Sequence, residues 1–210
     1  MMLKGKNISC ETIKRLIIYL RSLDTLKKKG VKVISSENIS SFLNVQPSQF
    51  RKDLSFFGEF GKRGVGYDVD SLSDTIRKIL GVDRQTEVVL IGVGKLGSAL
   101  IQYAGFRKIN VRFVACFDKN PRKIGTIVDK LKVEDIKNAR DILQTTGVKI
   151  ALLCVPIEEA QSVAEYIVSI GIKGILNFTP AALVLPADIF INNVDMALEL
   201  GNIIYELKNR

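Results

Sequence analysis

The chain is 210 residues long, 47% hydrophobic and 25% charged, with 31 Lys and Arg against 22 Asp and Glu and a formal net charge of +9. That length holds one large domain or two modest ones of ordinary globular composition, and no apolar run reaches the roughly 20 residues that a membrane-spanning helix needs. Histidine is absent, which removes the commonest general base and the commonest zinc ligand together, so no metal site is expected and any dehydrogenase chemistry would need a lysine, tyrosine or carboxylate as its proton carrier. The start Met1-Met2-Leu3-Lys4-Gly5-Lys6 has neither the apolar core nor the cleavage site of a signal peptide. A cytoplasmic location is therefore expected, where Cys10, Cys116 and Cys154 stay reduced. Cys116 and Cys154 sit inside apolar runs and read as small core residues.

Charge is uneven along the chain. Residues 1–84 carry 16 Lys and Arg against 9 Asp and Glu, whereas the remainder is close to balanced. A basic front half points to a polyanion partner, although a solvated basic face has the same composition.

Ser9 is placed to cap a first helix, whose face is marked by Ile13, Leu16, Ile17, Leu20 and Leu23, and Lys27-Lys28-Lys29-Gly30 ends it. Val31–Ile34 is a connector or a small strand. Ser35-Ser36-Glu37 opens a second helix, Asn44-Val45-Gln46 is a turn, and Pro47 suits the first position of a third helix. In that third helix Phe50, Leu54 and Phe57 share the inward face, while Ser48, Arg51, Lys52 and Ser55 share the outward one. Two short helices across a three-residue turn, the second with a basic outer face, read as helix-turn-helix. Gly58–Tyr67 holds four glycines around Lys62-Arg63, a pattern expected of a tight hairpin, the wing of a winged helix. Arg51 and Lys52 suit guanine edges or phosphates of the major groove, and Lys62 and Arg63 suit the minor groove. Asp53, in their midst, is not what a plain phosphate-binding stripe would carry. A further helix begins at Asp70 or Ser71 and closes at Gly81, and Val82–Thr86 reads as a domain boundary.

Val88-Val89-Leu90-Ile91 then stops at Gly92, and an apolar-periodic helix begins within a few residues. The junction Gly92-Val93-Gly94-Lys95-Leu96-Gly97 is G-x-G-x-x-G in a strand–turn–helix setting. Gly92 serves the tight turn, Gly94 the approach of a pyrophosphate, and Gly97 the close packing of helix on strand. A second strand, Val111–Phe117, ends in Asp118, where an acid would hold a ribose 2′-hydroxyl. The segment from Lys119 to Val133 is charged and poorly periodic, and no strand is placed there. Strands follow at Ile150–Val155, ended by Pro156, at Gly174–Phe178 before Thr179-Pro180, and at Ile189–Val194 before Asp195, alternating with helices. The pattern implies an α/β chain with a Rossmann-like parallel sheet and ligands at the strands' C-terminal ends, where Gly92, Asp118, Pro156, Asn177 and Asp195 fall. Met196–Lys208 forms a terminal helix.

Taken together these stretches resemble the Rex family of redox-sensing transcriptional repressors. The resemblance rests on Tyr19-Leu20-Arg21, on Arg51-Lys52-Asp53-Leu54-Ser55-Phe56-Phe57-Gly58, on Gly61-Lys62-Arg63-Gly64-Val65-Gly66-Tyr67, on the Gly92–Gly97 turn, on Gly171–Phe178 and on Asn193-Val194-Asp195. It implies a homodimer on double-stranded DNA, with a winged helix over 1–81, an NAD(H)-binding domain over 82–195, and a helix over 196–210 exchanged between subunits. It implies NADH and NAD as cofactors, held by Val93, Lys95 and Leu96 with the glycines and Asp118, and further by Val155, Pro156, Asn177 and Thr179. It implies that Ser48, Arg51, Lys52, Ser55, Lys62, Arg63 and Tyr67 meet DNA, and that Arg21, Tyr103 and Asp195 read the nicotinamide. Lys95 and Thr179 depart from the family's usual residues, and Lys119 and Arg122 beside Asp118 would soften discrimination against a 2′-phosphate. Two other readings are a small NAD(P)-dependent oxidoreductase with a helical appendage and a nucleotide- or CoA-binding interaction module.

Overall fold

The computed structural model describes residues 8–62 and 64–209; Arg63 thus lies outside the described residues. The chain divides between Arg84 and Gln85 into two units, each with its own core.

In the first unit, helix α1 (Cys10–Lys28) starts where the Ser9 hydroxyl accepts the Thr12 N–H at 3.2 Å. Its buried face is Leu16, Tyr19, Leu20, Leu23 and Leu26. Helix α2 (Ser36–Leu43) is capped by Ser35 and ends at Asn44, whose φ of 53° is a left-handed conformation that asparagine tolerates. Helix α3 (Pro47–Ser55) follows, with Phe50 and Leu54 buried and Ser48, Arg51, Lys52 and Ser55 exposed. The segment Val31–Ile34 does contain a strand, β1 (Val33–Ile34), and it pairs antiparallel with β2 (Tyr67–Asp68). The expected hairpin over Gly58–Tyr67 is shorter than its glycines suggest, a single antiparallel bridge between Lys62 and Gly66, because Tyr67 is drawn away to pair with Ile34. Helix α4 (Val69–Leu80) begins before the expected Asp70 or Ser71, since the Asp68 carboxylate caps it by accepting the Ser71 N–H at 2.8 Å.

What fastens α3 is a charge. Asp53 is fully buried and accepts from Arg15 Nε at 2.6 Å and Nη2 at 2.7 Å, from the Tyr19 hydroxyl at 2.7 Å and from Gln49 Nε2 at 2.7 Å. The acid among the basic residues of α3 therefore points inward to α1. Tyr19 also packs edge-on to Phe50, with ring centroids 4.9 Å apart. A second pair, Arg77 to Asp24 at 2.6 Å, joins α4 to α1.

The second unit is a seven-stranded sheet in the order β5-β6-β4-β3-β7-β8-β9. These are β3 (Thr86–Ile91), β4 (Val111–Asp118), β5 (Ile127–Val128), β6 (Leu131–Asp135), β7 (Ile150–Leu153), β8 (Gly174–Asn177) and β9 (Phe190–Asn193). Every pairing is parallel except β5 with β6. Parallel strands need crossovers, and three of them run through α5 (Lys95–Gln102) with α6 (Ala104–Lys108), α7 (Ala139–Thr146) and α8 (Ile157–Ser169). By contrast, β4 reaches β6 by way of β5, and β8 reaches β9 through residues 178–189 without a helix. The order reverses between β3 and β7, which opens a crevice at their C-terminal ends. In the charged segment after Asp118, where no strand was expected, β5 and β6 form a hairpin. Its turn is Asp129-Lys130, both at positive φ (44° and 71°), a turn of the primed kind built without the usual Asn-Gly. The alternation Leu131, Val133 inward and Lys132, Glu134 outward is present but too short to stand out among the charges. Helix α9 (Met196–Lys208) ends the chain and buries none of its residues.

Burial raises the pKa of Asp53, but the bonds from Arg15, Tyr19 and Gln49 outweigh it and hold the carboxyl below its usual range. A folded pKa below the unfolded one gives stability present above pH ~3.9 and lost as pH falls through the folded value. Asp53→Asn is accordingly expected to cost about 3 kcal/mol at pH 7 in urea unfolding, because Arg15 and Tyr19 lose a charged acceptor. The gap between variant and wild type should shrink below the ordinary carboxylate range.

Candidate functional sites

In the first unit a groove of about 600 Å³ lies between the start of α2, the end of α3 and the Lys62–Gly66 turn. Of the residues expected to meet DNA, Arg51, Ser55, Lys62 and Tyr67 line it, while Ser48 and Lys52 are exposed outside it. Arg51 does not hang free. Its Nη1 donates to Ser36 Oγ at 2.7 Å and to the Glu37 carboxylate at 3.3 Å, so the start of α2 aims the guanidinium. Tyr67 is anchored rather than reaching outward: its ring meets Phe50 edge-on at 5.4 Å. A Cβ on Gly61 would lie 2.8 Å from that ring, so any larger residue there would have to displace the Tyr67 ring. Ser36 and Glu37 were not among the expected contacts; only their spatial closeness to Arg51, fourteen and more residues on, reveals them. Arg21 is exposed on α1.

In the second unit the crevice between β3 and β7 is a cavity of about 490 Å³. It brings together Gly92, Gly94, Lys95, Leu96, Asp118, Val155 and Pro156 of the expected cofactor residues. The three glycines differ in what they do. Gly92 has φ +94°, and a Cβ there would lie 2.4 Å from the Cys154 carbonyl oxygen. A Cβ on Gly97 would lie 2.2 Å from the Gly92 carbonyl oxygen. Both are thus closed by the protein's own backbone. A Cβ on Gly94 would meet nothing within 4 Å, so that space is left for something else. Gly94 is the N-cap of α5 and offers no side-chain acceptor to the N–H groups of the first turn. Open space beside free helix N–H groups suits a pyrophosphate.

Asp118 is 8% exposed at the end of β4 and accepts from the Val93 N–H at 2.9 Å, the Asn120 N–H at 2.8 Å and Lys123 Nζ at 2.9 Å. Burial works to raise its pKa, and those bonds together bring it below the usual carboxylate value. It is an ionised acceptor facing the cavity, as a ribose diol requires. Val93, by contrast, is buried, and its contribution is that N–H. Lys119 forms an ion pair with Glu159 on α8. Lys123 and Asn120 were missed from sequence because their side chain and N–H reach Asp118 only through the turn at Asn120–Ile124.

The remaining expected residues lie elsewhere. The Asn177 side chain is spent inside the protein: Nδ2 donates to the Ala181 carbonyl and to Asn193, and Oδ1 accepts from the Thr179 N–H and hydroxyl. Asn177 and Thr179 are buried and shape the loop behind the crevice rather than line it. Asp195 caps α9 by accepting from the N–H groups of Ala197 and Leu198. Tyr103 ends α5, which runs back from the crevice, and lines a separate concavity with Phe106, Val111 and Phe113. Burial pushes the Cys116 thiol up to about 11 and the Cys154 thiol up to about 12, so both stay protonated.

Residues 83–181 match the family model of a CoA binding domain, and residues 7–55 match that of a putative DNA-binding protein N-terminus. The redox-sensing transcriptional repressor Rex of Chloroflexus aggregans is 41% identical over 195 residues, 93% of this chain and 92% of that one. Rex of Syntrophobacter fumaroxidans is 41% identical over 206 residues, 98% of each chain. Among solved structures, RSP in complex with beta-NAD+ and operator DNA superposes with a TM-score of 0.92 at 37% identity, covering 98% of this chain and 94% of that one. RSP in complex with beta-NADH gives 0.87 at 36% identity, covering 98% and 96%.

The cavity geometry separates two glycine substitutions. Gly94→Ala should leave the thermal midpoint near that of the wild type while abolishing dinucleotide binding, because its Cβ enters open space that the pyrophosphate needs. Gly97→Ala should destabilise the unit by about 2 kcal/mol or more, because backbone must move. Thermal melts and ligand titration of the two variants distinguish these outcomes.

Proposed function

The chain belongs to the Rex family of redox-sensing transcriptional repressors, and from that footing we propose that it binds a two-fold symmetric operator as a homodimer and leaves it when NADH fills the Gly92 crevice. Residues 1–81 form the DNA-reading part, 82–195 the cofactor part and 196–210 the dimerisation helix, acting in the cytoplasm. The observation that carries the cofactor half is the pairing of an open Gly94 with a near-buried, ionised Asp118 in one cavity. Gly94, Lys95 and Leu96 offer the pyrophosphate their N–H groups, and Asp118 accepts from the ribose hydroxyls. Bound NADH or NAD+ supplies only the redox state to be read; no step of the reading asks for turnover, and no residue is assigned as catalytic.

The DNA half rests on the exposed face of α3. Arg51, held by Ser36 and Glu37, presents its remaining N–H donors to a guanine edge, while Lys52, Ser48 and the Lys62 turn meet phosphates. Arg63 extends that turn in sequence. Two such helices on a dimer suit half-sites about 34–36 Å apart, or a multiple of that. A dimer that senses NADH must couple the two halves, a coupling worth about 1–3 kcal/mol in typical allostery. Arg21, Tyr103 and Asp195 are the residues we assign to that coupling, Tyr103 acting away from the crevice of its own chain.

The test is fluorescence anisotropy on an operator selected from random duplexes, titrated separately with NADH, NAD+ and NADPH. Release by NADH supports a redox-sensing repressor. Tight NADH binding with no change on DNA, or turnover of a carbonyl substrate, would overturn it in favour of an oxidoreductase. Displacement of NADH by CoA would favour a CoA-binding module instead.

Helix α9 supports the dimer. Met196, Leu198, Leu200, Ile203, Ile204, Tyr205 and Leu207 are each 57–71% exposed in the single chain. A contiguous apolar surface of that kind marks a protein interface, and a second copy of this chain covers it. Ile203→Glu combined with Ile204→Glu is expected to give a monomer in light scattering with lost operator affinity, while the second unit keeps its cooperative melt.

A further inference from the structure

Asp118 does not face the crevice alone. The turn that follows β4 folds back on it: the Lys123 and Ile124 N–H groups donate to the Asn120 carbonyl at 2.9 and 3.1 Å, the Asn120 N–H donates to Asp118 Oδ1, and Lys123 Nζ lands on Asp118 Oδ2. Lys123 lines the crevice with its side chain 39% exposed, against 8% for Asp118. The two cations that adjacency in sequence singles out do not reach Asp118. Lys119 also lines the crevice but is paired with Glu159 of α8, and Arg122 is exposed and outside the lining.

We propose that Lys123 is the residue that sets this crevice's choice between dinucleotides with a free ribose 2′-hydroxyl and those carrying a 2′-phosphate. The inference rests on reading the crevice as a dinucleotide site. A bare carboxylate accepts from a ribose diol and repels a phosphate dianion, and both effects favour NADH over NADPH. An ammonium on the same carboxylate cancels much of the repulsion at a distance of one hydrogen bond. It also keeps further N–H donors that Asp118 does not use, and these face the cavity where a 2′-phosphate would sit. The diol keeps an acceptor, because of the roughly four lone-pair sites of a carboxylate the Val93 N–H, the Asn120 N–H and Lys123 take three, leaving one on Oδ1. Lys123 therefore narrows the preference for NADH without greatly weakening NADH itself.

The experiment is calorimetric titration of the full-length protein with NADH and NADPH at low and high salt. Lys123→Met keeps the aliphatic stem and is expected to weaken NADPH about tenfold relative to NADH, from loss of one nearby charge pair. Lys123→Arg should retain the wild-type ratio. The NADPH affinity of the wild type should also fall more steeply with salt than that of Lys123→Met, a difference that a purely structural lysine would not produce. If Lys123→Met perturbs the melt, Lys123→Gln, which keeps a donor, replaces it in the same comparison. An unchanged NADPH to NADH ratio with NADH binding intact overturns the role of Lys123 alone. Failure of the wild type to bind either dinucleotide overturns the reading of the crevice, and the Lys123 proposal with it.

Discussion

The hydrogen bond from the Val93 N–H to the Asp118 carboxylate, 2.9 Å long between nearly buried partners, holds the second unit's crevice in shape. It spans the turn after β3 and the end of β4, and together with the Gly92 N–H, which donates to the Phe117 carbonyl at 2.8 Å, it sets the distance between the glycine turn and the acid. The turn can be that tight only because Gly92 has no side chain to meet the Cys154 carbonyl beyond β7. Helix α5 then starts close to the sheet only because Gly97 clears the Gly92 carbonyl. Three neighbouring strand ends are thereby fixed against one another, and the space at Gly94 is what they leave over. A rigid gap beside helix N–H groups suits a pyrophosphate, on the reading proposed above, because those groups would need no rearrangement on its arrival.

The first unit solves a different problem, presenting cations on a helix whose other face must be buried. On α3 the consecutive residues Arg51, Lys52 and Asp53 point in different directions, two to solvent and one into the core. Asp53 inside, bonded to Arg15, Tyr19 and Gln49, fixes the rotation of α3 about its axis, and with it the direction of Arg51 and Lys52. A purely apolar contact would bind the helix to α1 but tolerate rotation better, whereas four directional bonds to one carboxylate do not. Glu37 and Ser36 extend the same control outward, onto the guanidinium itself.

One chain leaves visible work for another. The apolar side of α9 is exposed in the single chain, and Tyr103 packs edge-on to Phe106 away from the crevice. On the proposed reading both gain a use in a two-fold assembly, which is also what a palindromic operator demands. On the proposed reading, then, the redox signal travels through a dimer, and the single chain holds the receptor parts without the complete switch.

Much of the plan was legible in the sequence because it rests on local rules. Ser9, Ser35 and Pro47 start helices where capping chemistry requires, the apolar periodicities of 3.6 and 2 mark helix and strand, and G-x-G-x-x-G between a strand and a helix has few other uses. The family was legible for the same reason, since R-K-D-L-S and R-G-V-G-Y are contiguous. What only the tertiary structure decided involves partners far apart in the chain or dependent on turn geometry. Asp53 finds Arg15 across 38 residues, Lys123 rather than Lys119 reaches Asp118, and β5–β6 turns at Asp129-Lys130 with no glycine to announce it. Asn177 bonds within the protein although it sits at a strand end where ligands are expected. Composition and periodicity specify which face a residue occupies; which charge it meets on that face depends on distances that exist only after the chain has folded.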